Sequence, residues 1–409
     1  MRPTEIRALS GLRIVAAVWV VLFHFRPLLE QAAPGFRSAL APVLDCGAQG
    51  VDLFFILSGF VLTYNYLDRM GERWSWRSTV HFLWLRLARV WPVYLVTMHL
   101  AALWIIFTLH IGRVPSEAAD SLTAMNYLKQ FLMIQLWFQP FFDGSSWDGP
   151  AWSISAEWLA YLLFGGLVLI VFRIARSTRA RSLVLLAVAA AMPPILLLMS
   201  TGQFYTPWSW LPRIVMQFTA GALLCAAVCK LQLSERVRRG AGYAAVALAA
   251  AIVGILYLLD AYPLAKIPDS SGLVDVLFVP LVLTLAIGAG ALPGLLGIRP
   301  MVYLGHISFS LYMVHELVHT TWNWMVDQFQ LRLLADVNGK LTLLVIIGVA
   351  FVGAVLLYHF VEEPARRWMR AMMKPSSPSS GARTESAPKL APIHGPREER
   401  TKALSARAV

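Results

Sequence analysis

Apolar runs of roughly 17 to 22 residues, the length that crosses about 30 Å of hydrocarbon as helix, recur along almost the whole chain. Ten are visible: Leu12–Leu29, Val51–Leu67, Val90–Ile111, Ala151–Phe172, Leu183–Met199, Ile214–Leu231, Ala244–Leu259, Val274–Leu292, Val302–Val318 and Leu341–Phe360. The pattern predicts an all-α polytopic membrane protein with about ten spans. The first run lacks a small-residue cleavage pattern and is followed by further spans, so it is expected to stay as the first span rather than leave as a signal peptide.

Composition agrees. Of 409 residues, 58% are hydrophobic and 14% charged, with a mean hydropathy of +0.61, too apolar for one water-soluble domain. Lys and Arg are retained on the cytoplasmic side of short loops. With ten spans and both termini inside, eight of the 35 basic residues fall in outer connections, six in the far tail from Arg383 onward and 21 at the inner face. The net charge of +12 is then explained by topology and anionic lipid, without nucleic acid. Residues 1–372 read as one membrane domain, and residues 373–409, rich in Pro, Ser and charge, as a disordered cytoplasmic tail. The outer connection Gly112–Pro150 is expected to lie on the interface with Trp137, Trp147 and Trp152 at headgroup depth, and Asp68–Pro92 to do the same on the inner side. Cys46, Cys225 and Cys229 form no metal motif, and neither a metal nor a disulfide is predicted.

Against this background a few residues are out of place. Arg13 and His24 of the first span lie eleven residues apart. At about 100° and 1.5 Å per residue, they share one helix stripe about 16 Å apart, with Arg13 at the inner edge and His24 in the middle or outer half. Asp52 opens the second span, Glu157 lies near the outer end of the fourth, and His315 with Glu316 reaches the outer half of the ninth. Ser308, Tyr312 and His315 repeat at i, i+4, i+7. Each residue alone also fits a structural role, an arginine snorkelling to phosphate or a carboxylate paired with an arginine. Four spans delivering acids or imidazoles to similar depth point to a site. At the inner face Arg86 and Arg89, three apart on one helix, join Arg13 as a cationic clamp for phosphate, with Glu363 expected to orient it. A base of near-neutral pKa held by an acid suits activation of a hydroxyl, and the two stations together suit group transfer. A proton-coupled secondary transporter is the rival, but the proline-interrupted spans do not pair into two related halves.

In order and spacing, Arg13 with His24, "GVDLFFILSGF", Arg86 with Arg89, "WSISAEW", "ISFSLYMVH" and the closing "EEP" resemble the membrane-bound acyltransferase family 3, over Met1 to about Arg370. The resemblance implies a multi-pass protein of the bacterial cytoplasmic membrane. It would move an acyl group, usually acetyl, from cytoplasmic acyl-CoA to a hydroxyl of a surface glycan or another extracytoplasmic acceptor. It implies His24 as the catalytic histidine, Arg13, Arg86 and Arg89 at the donor, and Glu157 as a further catalytic candidate. Asp52 or Glu157 is expected to hold the His24 imidazole, with His315 in the same group. No cofactor is expected to stay bound, acyl-CoA being a co-substrate. Relatives that decorate O-antigen often carry an extracytoplasmic domain after the spans, whereas here the tail follows. Acceptor handling is therefore expected from the membrane domain, its outer loops or a partner protein; homo-oligomerisation is left open.

Overall fold

The computed structural model describes residues 5–110, 120–329 and 339–373. Long helices build it: α1 (Arg7–His24), α2 (Gly50–Met70), α3 (Trp76–His110), α4 (Trp152–Ser177), α5 (Ala180–Thr201), α6 (Trp210–Val228), α7 (Glu235–Ala261), α8 (Phe278–Ile287), α9 (Arg299–Phe329) and α10 (Gly339–Leu357), with α11 (Glu363–Met372) closing the domain. A 3₁₀ segment, Ser270–Leu277, leads into α8 and completes that span. Among the described residues there is no strand. The compact unit ends at Met372. All but one residue of the tail expected beyond it lie outside the described residues.

Among the described residues, nine helical segments are long and apolar enough to cross a membrane. The tenth, α9, has 31 residues, ample length, but carries His306, Ser308, Ser310, Tyr312, His315 and Glu316 along its middle. That polarity takes it below the hydropathy of the others. Packed between α1 and α10, it is the tenth span. The protein is thus an all-α, multi-pass membrane protein.

Two expected boundaries move. The first span was expected to run to Leu29, but α1 ends at His24 and the chain restarts as a short helix, Arg26–Ala32, with Pro27 in its first turn. Proline there loses no needed hydrogen bond and forces a fresh start. His24 is therefore the last residue of α1, with its ring set against the Val20 carbonyl of the last turn. The third span was expected from Val90, with the preceding segment flat on the inner surface; α3 instead starts at Trp76 and runs 35 residues with Pro92 inside. Thr79, Phe82 and Ala88 are buried, so this first half belongs to the packed bundle. The described part of the outer connection carries a short helix, Ala124–Phe131, and is tied to the bundle. Trp137 donates to the Ser155 carbonyl at 2.9 Å, and Trp152 stacks on Phe142 with centroids 4.5 Å apart.

Close backbone approach sets the geometry around the site. A Cβ on Gly305 of α9 would lie 1.9 Å from the Ser10 carbonyl oxygen of α1. Between α2 and α6 the contact is reciprocal, Gly59 against the Phe218 carbonyl and Gly221 against that of Ile56, both leaving no room for a side chain. Small residues at crossings are what allow membrane helices to pack without a hydrophobic driving force. Here they clamp α1 to α9, which carry Arg13, His24, His315 and Glu316, and α2 to α6, which carry Asp52 and Arg213.

Candidate active site

Arg13, six residues into α1, lines three adjoining cavities of about 200, 70 and 50 Å³ that rise from its end of the bundle. Arg86 and Arg89 of α3 line the second, and Arg89 also the first. The structure thus brings the three predicted arginines together. It adds Glu157, which was expected beside His24: Glu157 lines the second and third cavities, accepts a hydrogen bond from Ser58 and acts by charge on Arg13. The misplacement has a simple cause. α4 descends, and Glu157 is already a turn and a half below its start at Trp152.

Arg89 does not stand free for a ligand. Its guanidinium is paired with Glu362, which is fully buried and also accepts from Ser310 at 2.9 Å. The expectation that Glu363 would orient the clamp is off by one residue. A π-helical turn, Tyr358–Glu362, links α10 to α11. The extra residue in that turn rotates the register, sending Glu362 inward and leaving Glu363 to pair with Arg366 and Arg367. The Nε of Arg86, by contrast, is buried with no hydrogen-bond partner among the described residues.

Asp52 is not held against His24 either. Arg213 of α6 grips it with both edges, Nε to Oδ1 at 3.0 Å and Nη2 to Oδ2 at 2.6 Å, and both side chains are essentially inaccessible. Asp275 completes this buried group, close enough for its charge to act on Arg213. Arg213 is not among the residues singled out from sequence, where it read as one of the few outer basic residues.

The partner that His24 does find is His315. The His315 Nε2 lies 3.3 Å from His24 Nδ1, with ring centroids 5.0 Å apart. Backbone carbonyls assign the protons. His315 Nδ1 sits 2.7 Å from the Tyr312 oxygen and His24 Nδ1 sits 2.9 Å from the Val20 oxygen; a carbonyl only accepts, so both Nδ1 atoms carry hydrogen. The His315 Nε2 then offers a lone pair to the His24 N–H, and His24 Nε2 keeps its own lone pair for a substrate. Glu316 supplies the carboxylate missing from Asp52 and Glu157: its oxygen and one nitrogen of each histidine lie within 4.8 Å of one another. Its Oε2 is buried and has no hydrogen-bond partner among the described residues. Two histidines and a carboxylate at this spacing are also a metal-ligand set. No local motif announces it, because its members come from two helices.

Between the two stations stands Tyr312. Its hydroxyl meets Ser153 Oγ at 2.8 Å and donates to the Pro150 carbonyl at 3.1 Å, at the upper end of the third cavity. On the far side, His24 lines a wide vestibule of about 360 Å³ with Phe23, Arg26, Glu30 and Arg37. Cavities thus lie toward both ends of the bundle, and Tyr312, on the third cavity, has its ring 5.8 Å from that of His315, the partner of His24.

Comparison with known proteins gives a matching picture. A family model described as "Acyltransferase domain" matches residues 6–359. The "Acyltransferase MdmB" of Streptomyces mycarofaciens is 28% identical over 412 residues, covering 95% of this chain and 98% of that protein. The "Protein 2 in picA locus" of Rhizobium radiobacter is 29% identical over 212 residues, 49% of this chain and 97% of that protein. No solved structure matches.

Proposed function

Since this chain belongs to the acyltransferase-domain family and is a membrane acyltransferase, we propose that it moves a short acyl group, acetyl first, from acyl-CoA to a hydroxyl of an acceptor reaching it from the other end of the bundle. The observation that carries this reading is the His24–His315 contact, with His24 on the vestibule at one end of the bundle and the arginine-lined cavities toward the other. The basic face is taken as cytoplasmic and the membrane as the bacterial cytoplasmic membrane, in keeping with the excess of Lys and Arg on one side, and a glycan hydroxyl is the acceptor of choice.

The donor enters past Arg13 and Arg86, thioester end first. Guanidinium groups match phosphate geometry, and Arg89, tied to Glu362, acts as a strut that fixes the wall. Tyr312 swings from Ser153 to let the thioester pass. In the vestibule the acceptor hydroxyl meets the free Nε2 of His24. As its oxygen bonds to the thioester carbon, its proton moves to Nε2; the tetrahedral intermediate collapses, the C–S bond breaks, and the imidazolium returns that proton to the CoA thiolate. His315 accepts from Nδ1–H throughout, and the Glu316 carboxylate stabilises the transient charge on His24. His24 thus has a neutral orienting partner and a charged neighbour, where a single carboxylate was expected to do both.

His24→Ala, reconstituted with acetyl-CoA and membranes holding the acceptor, is expected to lose at least about 10²-fold in transfer while inserting normally. Near-normal transfer by the folded variant would reject the assignment.

A further inference from the structure

The 200 Å³ cavity at the basic end is lined by more than the clamp requires: Tyr64, Asn65, His306 and Tyr358 stand around it with Arg366 of α11. Arg366 was not among the residues expected from sequence to matter. Its charge acts on Arg89 and on Arg370, so it belongs to the same cationic group as Arg13 and Arg86. One edge is held by Glu363, but its Nε is buried and has no hydrogen-bond partner among the described residues. Of the guanidinium groups here, Arg89 is tied to Glu362 and Arg13 lies deeper, lining all three cavities and facing Glu157. That leaves Arg366 to meet a ligand at the mouth.

We propose that Tyr64, Asn65, His306, Tyr358 and Arg366 form the subsite for the nucleotide end of the donor, with Arg366 contacting its terminal ribose phosphate. Phenol rings and an imidazole give a base faces to stack on, an amide matches a purine edge, and a guanidinium takes a phosphate. The order along the cavities fits a long donor whose reactive end must travel farthest. Its nucleotide stays at the mouth, its diphosphate lies near Arg13 and Arg86, and its apolar arm follows the narrower second and third cavities. This inference rests on acyl-CoA being the donor.

The test is equilibrium binding of CoA, 3′-dephospho-CoA and pantetheine to the protein in discs of uncharged phosphatidylcholine. The wild type should prefer CoA over 3′-dephospho-CoA by about tenfold, the scale of one charge-assisted contact. Arg366→Gln should abolish that preference and leave 3′-dephospho-CoA affinity within about twofold. Asn65→Ala, an exposed position, should weaken both nucleotides alike and spare pantetheine. A wild type without the preference, or an Arg366→Gln protein that keeps it, overturns the subsite, the former without relying on any variant. So does an effect of Arg366→Gln that appears only when anionic lipid is added, which would make the residue a headgroup contact. If the wild type binds no CoA at all, the donor reading itself falls, an outcome distinct from the others.

Discussion

The buried Asp52–Arg213 pair separates a structural carboxylate from a catalytic one. Asp52→Asn leaves a guanidinium with 2% side-chain exposure facing a neutral amide. Removing one partner of a buried pair typically costs about 3–5 kcal/mol, since the remaining charge stays desolvated. Asp275, whose charge also acts on Arg213, recovers part of this, so the low end, about 3 kcal/mol, is expected. The double variant Asp52→Leu with Arg213→Met replaces both charges by apolar groups of similar volume, a change that is often neutral. It should therefore recover most of the lost stability, with a coupling of about 2 kcal/mol or more between the sites. The assay is thermal unfolding in detergent alongside transfer per folded molecule. A double variant with native stability and transfer within about fivefold fits a carboxylate that never touches the reacting atoms. A double variant equally stable but slowed about 10²-fold or more would refute the reasoning and return Asp52 to the catalytic group.

Three further outcomes follow from the same geometry. Glu362→Gln strands Arg89 and should lower stability by about 3 kcal/mol, whereas Glu363→Gln, removing one partner of the partly exposed Arg366 and the exposed Arg367, should cost about 1 kcal/mol or less; paired melting curves decide it, and equal losses would mean the π turn does not set the register. Asp148, outside the spans, is pushed up to about 8, chiefly by burial and further by the Glu316 charge. The folded state thus holds a proton that the unfolded chain releases near pH 4, so stability is greatest below about 4, falls as pH rises to about 8 and then levels off; Asp148→Asn should flatten that slope in melts from pH 5 to 8, and an unchanged slope would sink the assignment. Tyr312→Phe keeps the ring but frees Ser153 and the Pro150 carbonyl, and it should raise acyl-CoA hydrolysis relative to transfer by about threefold or more; an unchanged ratio would show that the hydroxyl seals nothing.

The helices were legible because lipid imposes one length and one polarity on every span, and that signal survives ignorance of packing. The arginines were legible for a related reason: Arg13, Arg86 and Arg89 sit near one face, and depth alone brings them together. Depth did not fix partners. Asp52, Glu157 and His24 each reach the upper half of a helix, yet Asp52 turns to Arg213 and Glu157 to Ser58, and only the crossings at Gly59, Gly221 and Gly305 decide which faces meet. The shift from Glu363 to Glu362 was beyond periodicity altogether, because a π turn breaks the very period used to read the face. Glu316 was visible beside His315, but adjacent residues on a helix point about 100° apart. Its convergence with His24 depends on how α9 packs against α1, which no single-helix reading supplies.

Tyr312 ties these strands into one device. In the proposed reaction its hydroxyl closes the donor route while its backbone carbonyl holds the His315 proton, so the side chain that would admit the thioester hangs from the same residue that fixes the His315 tautomer. The carbonyl belongs to the helix and does not move when the ring rotates about its own side-chain bonds. Opening therefore leaves the His24 lone pair in place, and a thioester that passes the ring meets a base already oriented. An acyltransferase fed from two sides, as proposed here, would need that separation, since water arriving through the vestibule would otherwise compete with the acceptor for the thioester.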